Sequence, residues 1–198
     1  MTGALAEAKR ALRREFRARR RRLHATHPDG AHALARRVLL EVAVPPGSVA
    51  AGYWPDDGEI DPRPLMAALA ERGVGLALPA VVERAAAPVY RAWKPGEPLR
   101  PDRVGIPAPV ATAPSVVPDL VLCPLVAFDA GGRRLGRGGG YIDRALAALG
   151  PGVRVVGLAW EQQRAGRIPT AAHDRTLDMV VTECRVYRRD HAAGVAGP

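Results

Sequence analysis

Apolar side chains near the start of the chain recur every three to four residues, which is the spacing of an amphipathic helix. They predict a helix over residues 4–23, with its apolar face formed by Leu5, Ala8, Leu12, Phe16 and Leu23. A second helix is predicted over residues 31–44, because two prolines and a glycine follow it. A third is predicted to begin with Asp61 as its N-cap and Pro62 in its first turn, and to end before Gly73.

Short apolar runs between these helices predict strands. They cover residues 48–53, 74–81, 87–93, 120–126, 153–160 and 179–187. Alternating strands and helices indicate an α/β fold, a three-layer α/β/α sandwich with a mostly parallel, Rossmann-like sheet. Residues 94–118 hold seven prolines and are predicted to cross the fold, because neither side has enough sheet to stand alone. We therefore expect a single domain over residues 1–189, on which the 4–23 helix packs, and a disordered tail over residues 190–198.

The composition is that of an ordinary soluble protein, with 47% apolar and 25% charged residues among 198. No run approaches the roughly 18–20 uninterrupted apolar residues that a membrane-spanning helix needs. The start of the chain is mostly charged and has no apolar signal core, so we expect a cytoplasmic protein without a membrane partner. Cys123 and Cys184 are too few for a disulfide framework and are expected to be reduced.

Positive charge is concentrated in the first predicted helix. The net charge is +9, and residues 1–22 hold nine basic residues against two acidic ones. Such a helix suits a nucleic acid, an anionic small molecule or simply a solvated face, so charge alone does not decide the partner. Only two of the 29 basic residues are lysines, which singles out Lys9 as a compact charge suited to phosphate. Lys9 and Arg13 are four residues apart and share a helix face.

A stretch rich in glycine and arginine follows the predicted strand over residues 120–126. Residues 131–139 contain five glycines and three arginines, and a helix closed by Gly150 follows. Glycines let backbone N–H groups converge on a ligand, and a helix N-terminus attracts anions, so the pattern suits a polyphosphate. It is neither a Walker A loop nor the dinucleotide fingerprint. Asp143 could cap this helix or approach a magnesium ion, whereas the alternative is a flexible surface turn.

Residues 53–61 combine two aromatic side chains with four carboxylates directly after a predicted strand, which indicates the edge of a pocket. Asp61 already has a capping role, whereas Glu59 has no such structural duty and is the carboxylate we single out. Ligands of parallel α/β sheets bind beyond the carboxyl ends of the strands. Residues 54–59, the glycine-rich loop, residues 161–163 and residues 173–174 are therefore expected on one rim.

Taken together and in order, these motifs resemble the 5-formyltetrahydrofolate cyclo-ligase family, also called methenyltetrahydrofolate synthetases, over roughly residues 9–183. The resemblance is carried by Lys9-x-x-Leu12-Arg13, Tyr53-x-Pro55-x-x-Gly58-Glu59-Ile60-Asp61, Gly105-Ile106-Pro107-x-Pro109, Arg134-Leu135-Gly136-Arg137-Gly138-Gly139-Gly140-Tyr141-Ile142-Asp143-Arg144, and Asp178-x-Val180-Val181-Thr182-Glu183.

The resemblance implies an ATP- and magnesium-dependent ligase of one-carbon metabolism. Such an enzyme converts 5-formyltetrahydrofolate to 5,10-methenyltetrahydrofolate, by phosphorylating the formyl oxygen and closing the ring through N10, and releases ADP and phosphate. It also implies a folate partner, with nucleic acid not expected, and we expect a monomer.

The family's functional residues map onto this chain as follows. ATP contacts are implied for Lys9, Arg13, Arg134, Leu135, Gly136, Arg137, Gly138, Gly139, Gly140, Tyr141 and Ile142. Folate contacts are implied for Trp54, Glu59, Arg137, Gly138, Gly139, Gly140 and Tyr141. Catalysis is expected of Arg137 and Tyr141, and magnesium ligation of Asp143 and Asp174.

Two positions depart from the family pattern. Ile142 stands where a tyrosine is usual, which removes a phenol, and the position of Trp54 varies. Two alternatives stay open: a nucleic-acid-binding relative that uses the basic helix, and a different small-molecule kinase or ligase on the same fold.

Overall fold

The computed structural model describes residues 3–170 and 175–189. The helices are α1 (Gly3–Thr26), α2 (Gly30–Glu41), α3 (Arg63–Glu71) and α4 (Tyr141–Leu149), with a 3-10 turn at Glu161–Gln163. The strands are β1 (Val49–Ala51), β2 (Gly75–Ala80), β3 (Val89–Ala92), β4 (Leu99–Pro101), β5 (Pro107–Pro109), β6 (Leu120–Pro124), β7 (Ala127–Phe128), β8 (Arg134–Leu135), β9 (Arg154–Leu158), β10 (Met179–Val181) and β11 (Val186–Arg188).

Seven strands form the main sheet in the order β11-β10-β9-β6-β1-β2-β3. The five central strands pair in parallel, and β3 and β11 pair antiparallel at the two edges. Counted along the chain, the parallel strands have the order 2-1-3-4-5 of a doubly wound sheet. The predicted mostly parallel, Rossmann-like sheet is confirmed.

Helices cover both faces of the sheet, which makes the predicted three layers. Leu34 and Val38 of α2 and Leu65 and Leu69 of α3 share one apolar cluster with strand residues such as Leu122. On the opposite face, α4 contributes Ala145 to a second cluster, built on Ala51, Ala77, Val121 and Cys123. Burial of these two apolar faces is the main favourable term in assembling the layers.

Helix α1 packs against β7 and the 3-10 turn. Its residues Phe16 and Leu23 are buried, and Phe16 packs in a third cluster with Val126, Ala127 and Leu135. The predicted helix over residues 4–23 is thus confirmed and is slightly longer at both ends.

Several predicted element boundaries are wrong. The strand predicted over residues 179–187 is a hairpin, because the Thr182 hydroxyl accepts the N–H groups of Cys184 and Arg185 and turns the chain. The strand predicted over residues 120–126 ends at Pro124. The helix predicted over residues 31–44 ends at Glu41.

The proline-rich crossing contains a small antiparallel pair, β4 with β5, that the sequence did not predict. The predicted N-cap is one residue early, because Pro62 is the N-cap residue of α3; Asp61 lies just before it, and its Oδ1 accepts the N–H of Arg63 at 2.9 Å. The predicted tail over residues 190–198 and part of the predicted rim, residues 173–174, lie outside the described residues. No helix in the described part of the chain is long and apolar enough to cross a membrane.

Candidate active site

A cavity lies where the strand order reverses, beyond the carboxyl ends of β1 and β6. This switch point is where doubly wound sheets bind ligands. Its volume is about 180 Å³, less than the ~300–1,000 Å³ typical of whole-ligand sites, so it suits a ring-sized part of a ligand. Most of its wall is apolar, and the charged groups that reach it come from Glu59, Asp102, Arg137 and Asp143.

A tight turn after β1 places Glu59 on this cavity. The Glu59 N–H donates to the Asp56 carbonyl at 3.1 Å, and the two central residues, Asp57 and Gly58, have φ of 55° and 77°. Gly58 lies against α1 so closely that a Cβ atom there would be 2.8 Å from the Cα of Arg21. An Asp-Gly pair with positive φ at both positions is the usual solution for such a turn, and here the helix leaves no room for a side chain.

Arg20 of α1 holds this turn from the side opposite to solvent. Its side chain is fully buried and donates to the Asp57 carbonyl at 3.0 Å and to the Asp57 carboxylate at 2.9 Å. A third donation, 3.3 Å from Nη1, reaches Glu59 Oε1, and the same nitrogen reaches the Leu125 carbonyl at 3.2 Å. One guanidinium therefore ties the turn after β1 to the chain after β6.

Arg17 and Arg21 of α1 also contact Asp57. Arg17 donates to its carboxylate at 2.6 Å, and Arg21 forms a short hydrogen bond to the other oxygen. Burial raises the pKa of Asp57, but the hydrogen bonds from Arg17 and Arg21 outweigh it and leave the pKa below its usual value. Part of the basic charge of α1 is therefore used within the fold, to hold an ionised Asp57.

Glu59 itself is 3% exposed and lies in an electrostatically mixed environment. Its Oε2 accepts the N–H of Asp56 at 3.1 Å, and Arg137 Nη1 lies 4.0 Å from Oε1. Burial raises the pKa of Glu59 above its usual value, and Arg20 and Arg137 partly offset that effect. The result is a buried carboxylate that faces the cavity and retains acceptor capacity for a ligand.

The glycine-rich loop over residues 136–140 forms another side of the cavity and continues into α4. Gly138 and Gly140 have φ of 105° and 68°, and Gly140 is the N-cap residue of α4. Arg13 of α1 donates from Nε to the Gly136 carbonyl at 2.9 Å. Helix α1 therefore contacts the loop, and a Cβ at Gly136 would meet only open space.

Two ion pairs and one cation–π contact surround the loop. Arg134 is 8% exposed, pairs with Asp143 at 2.5 Å and also forms a short hydrogen bond to the Arg175 carbonyl. Arg137 pairs with Asp56 at 2.5 Å, which links the glycine loop to the turn that holds Glu59. The guanidinium of Arg144 lies 4.6 Å from the centre of the Tyr141 ring.

The structure brings most of the predicted site residues to one place. Those that line the cavity are Trp54, Glu59, Arg137, Gly139, Gly140, Tyr141, Ile142 and Asp143. Lys9 is buried on α1, and Leu135 lies in the core beside Phe16, so its side chain is not at the cavity. Gly138 lies beside the guanidinium of Arg13. Asp174 lies outside the described residues.

Residues 161–163, predicted on the rim, do not line the cavity. Gln163 is instead buried and donates to the carbonyls of Leu125 and Val126 at 2.6 and 2.8 Å, which supports the chain beyond β6. Trp54 packs edge-on against Trp93 with ring centres 6.1 Å apart.

The sequence did not single out Arg20, although a signal was present. The apolar face of α1 includes Phe16 and Leu23, and Arg20 occupies the position between them on that face. A charged residue within an apolar stripe is buried only when it is paired, so this position predicts a buried ion pair. Tyr90, which lies on an edge strand and lines the cavity, had no comparable signal.

The carboxylate at the loop fits a magnesium ion that is bound mostly by phosphate oxygens. Asp143 lines the cavity in the first turn of α4, and its side chain is 36% exposed. Mg²⁺ typically uses one or two carboxylates together with phosphate oxygens and water. Within residues 3–170 and 175–189, no group of three or more His, Cys, Asp or Glu side chains could hold a metal by itself.

Comparisons with known proteins agree on one family. The family model described as "5-formyltetrahydrofolate cyclo-ligase family" matches residues 5–183. A 5-formyltetrahydrofolate cyclo-ligase of Escherichia coli K12 is 32% identical over 159 residues, which cover 77% of this chain and 87% of that protein. A Haemophilus influenzae protein of the same name is 32% identical over 131 residues, covering 63% and 70% of the two chains.

Solved structures give the same result. The 5,10-methenyltetrahydrofolate synthetase of Aquifex aeolicus superposes with a TM-score of 0.78 at 28% identity and covers 96% of each chain. A synthetase of the same name from Mycoplasma pneumoniae, at 20% identity, superposes with a TM-score of 0.70 over 88% of this chain and 98% of that one. At that identity, the second match supports the fold alone.

Proposed function

Because the chain belongs to the 5-formyltetrahydrofolate cyclo-ligase family, we propose that it converts 5-formyltetrahydrofolate to 5,10-methenyltetrahydrofolate at the expense of ATP. The observation that carries the proposal is the junction of two segments at one cavity. The Glu59 carboxylate and the Arg137 guanidinium of the glycine loop lie 4.0 Å apart there, and Asp56 links them. A folate ring at Glu59 would therefore lie beside the loop assigned to the nucleotide.

Glu59 is the proposed anchor for the pterin ring of the folate. Its carboxylate is buried, so it can accept hydrogen bonds from ring N–H donors with little competition from water. Trp54 and the apolar wall would contact the ring faces. Arg137, Gly138, Gly139, Gly140 and Tyr141 would contact the substrate from the loop.

The nucleotide phosphates are proposed to lie along the glycine loop between α1 and α4. Backbone N–H groups near the positive end of α4 suit phosphate, and Arg13 approaches the same loop from α1. Lys9 is buried four residues earlier on α1 and is proposed to contact the phosphates from that helix. The proposed contact segment is residues 134–142. Ile142 lines the cavity and packs on the apolar cluster beneath α4, so it would contribute contact area where a phenol is usual in the family.

The proposed chemistry makes a poor electrophile reactive. The formyl oxygen attacks the γ-phosphorus, and the bond from that phosphorus to the bridging oxygen breaks to release ADP. N10 then attacks the formyl carbon and loses its proton to the departing phosphate, and the carbon–oxygen bond breaks to release that phosphate. Arg137 and Tyr141 would stabilise the charge that develops on the transferred group.

Asp143 and Asp174 are the proposed magnesium ligands. A bound magnesium ion supplies charge neutralisation on the phosphates of the nucleotide. The Asp143 carboxylate pairs with Arg134 in this structure. Holding nucleotide and metal would therefore require Arg134 to share or exchange this partner, which is possible for a donor with five N–H groups.

The direct test is an assay with purified protein, 5-formyltetrahydrofolate, ATP and magnesium that follows the near-ultraviolet absorbance of the methenyl product. We expect product that depends on both ATP and metal. Folded protein that binds ATP but forms no product would refute the proposed reaction.

We also propose a monomer that works in a reducing, cytoplasmic compartment as a single domain over residues 1–189. One continuous seven-stranded sheet supports the single domain. Two free thiols support the reducing compartment. Size-exclusion chromatography with light scattering tests the monomer, since a dimeric mass would refute it.

A further inference from the structure

Tyr90 lines the cavity but has no role in the mechanism above. It lies on β3, opposite Pro79 of β2, and its backbone carbonyl accepts the N–H of Val116 at 3.0 Å. These contacts fix the position of its backbone at the edge of the sheet. The residue is 5% exposed, and its side chain packs in the apolar cluster on the α4 side of the sheet.

The Tyr90 hydroxyl differs from those of two other tyrosines in the described part of the chain. The Tyr53 hydroxyl donates to the Ile60 carbonyl at 2.5 Å, and the Tyr187 hydroxyl donates to Glu161 at 2.6 Å. Within residues 3–170 and 175–189, the Tyr90 hydroxyl has no hydrogen-bond partner. Among described residues, the one side-chain polar atom that is fully sealed and has no hydrogen-bond partner is Arg37 Nε, so the Tyr90 hydroxyl is not fully sealed. Tyr90 itself lines the cavity.

Buried hydroxyl groups in proteins are nearly always hydrogen-bonded, so one without a protein partner takes its partner from the cavity, either water or an atom of a bound ligand that displaces the water. Burial, and to a smaller extent the neighbouring Cys123 thiol, raise the pKa of Tyr90 well above its usual value. The group therefore stays a neutral phenol that can both donate and accept.

We propose that the Tyr90 hydroxyl hydrogen-bonds a polar atom of the folate ring system in the cavity and helps to select that ring. This inference rests on the proposed function, because the folate is its ligand. A ring with a carbon atom opposite the Tyr90 hydroxyl would expel water from the hydroxyl without replacing the hydrogen bond. The site would therefore bind such a ring more weakly than the folate ring. Glu59 and Tyr90 would then read polar atoms of the ring within an otherwise apolar pocket.

The substitution Tyr90→Phe removes only the hydroxyl, and Tyr187→Phe is its matched control. Tyr187 lies outside the cavity, and its hydroxyl has a protein partner. Calorimetric titrations would measure the Kd of 5-formyltetrahydrofolate and of ATP for each protein, and thermal unfolding without ligand would measure Tm.

For Tyr90→Phe we expect the folate Kd to rise about 3- to 10-fold, the range for one net hydrogen bond, with the ATP Kd unchanged. Its Tm should stay the same or rise, because no protein hydrogen bond is lost. For Tyr187→Phe we expect the reverse, a lower Tm with unchanged folate affinity.

Two results would overturn the inference while leaving the proposed function intact. One is equal folate affinity of wild type and Tyr90→Phe, and the other is a fall in Tm for Tyr90→Phe like that of the control. Wild-type protein that binds ATP but not 5-formyltetrahydrofolate would overturn the proposed function, and the inference with it.

Discussion

Replacement of Arg20 by methionine tests the central electrostatic feature of the site. Methionine keeps an unbranched apolar stem in the buried position and removes the guanidinium. That group donates to the Asp57 carbonyl, the Asp57 carboxylate, Glu59 and the Leu125 carbonyl. The variant therefore leaves Glu59 buried without its closest cationic partner.

The expected loss of unfolding free energy depends on the partners that Asp57 and Glu59 keep in the variant. Removing one partner of a buried ion pair usually costs about 3–5 kcal/mol. Asp57 keeps Arg17 and Arg21, and Glu59 keeps the Asp56 N–H group and Arg137 at 4.0 Å. We therefore expect a loss of unfolding free energy at the lower end of this range, about 3 kcal/mol. For a chain of this size it corresponds to a fall in Tm of about 6–12 °C.

The cost should also depend on pH. Burial raises the pKa of Glu59, so its contribution to stability is fully present below its unfolded pKa and is lost as pH rises through its folded pKa. Arg20 lowers that folded pKa in the wild type and limits the loss. Without Arg20 the pKa rises further, so the deficit of the variant should be larger at pH 8 than at pH 5.

Urea unfolding of wild type, Arg20→Met and Arg22→Met at these two pH values measures the effect. Arg22 is exposed on the same helix, and its substitution should change stability by no more than about 0.5 kcal/mol. An Arg20→Met deficit equal to that of Arg22→Met, or one that does not change with pH, would refute the assignment of Arg20 as the partner of Glu59.

Three further substitutions test the site. Glu59→Gln should raise the folate Kd about tenfold or more, because charge-assisted hydrogen bonds are lost, and should leave the ATP Kd within about twofold; equal changes in both would remove Glu59 from the folate site. Asp143→Asn should abolish most magnesium-dependent turnover and lower unfolding free energy by about 1–3 kcal/mol, since Arg134 loses its carboxylate partner; wild-type turnover at limiting magnesium would contradict the metal assignment. Gly58→Ala should lower unfolding free energy by more than about 1 kcal/mol, because the φ of Gly58 is positive and α1 is in contact with it. Gly152→Ala should be close to neutral, because open space surrounds Gly152. Similar losses in both variants would show that α1 does not constrain the turn.

Local patterns were sufficient for most of the layer architecture. The 3.6-residue period of α1, the Asp-Pro start of α3 and the apolar runs of the central strands are properties of neighbouring residues, so the sequence carries them directly. The predicted boundaries of helices and strands were wrong where a side-chain hydrogen bond or pairing with a distant strand outweighs local secondary-structure propensity. Thr182 turns the predicted 179–187 strand into a hairpin, and the prolines at the ends of β5 still permit pairing with β4, which is outside the main sheet.

The residues of the candidate site also fall into two groups, those that the sequence identifies and those that only the tertiary structure reveals. Glu59, Arg137, Tyr141 and Asp143 were found from residue types and from the family resemblance, and the structure places them on one cavity. Chemistry that depends on residue type is visible in a sequence because each side chain carries its own charge, donors and acceptors.

Burial and partnership are properties of the assembled fold. The sequence shows nine basic residues near the N-terminus, but only the packing of α1 against the turn at Asp57 makes Arg20 a fully buried cation and leaves Arg22 on the surface. Likewise, only the pairing of β3 at the sheet edge puts Tyr90 at the cavity, where its hydroxyl has no partner in the part of the chain that the structure describes. The cost of an unpaired polar group, and the shift in a carboxylate pKa, arise from water excluded by residues far away in the chain. The chain alone therefore determined the layers and the reactive groups, whereas the tertiary structure decided which of those groups are buried and what each of them contacts.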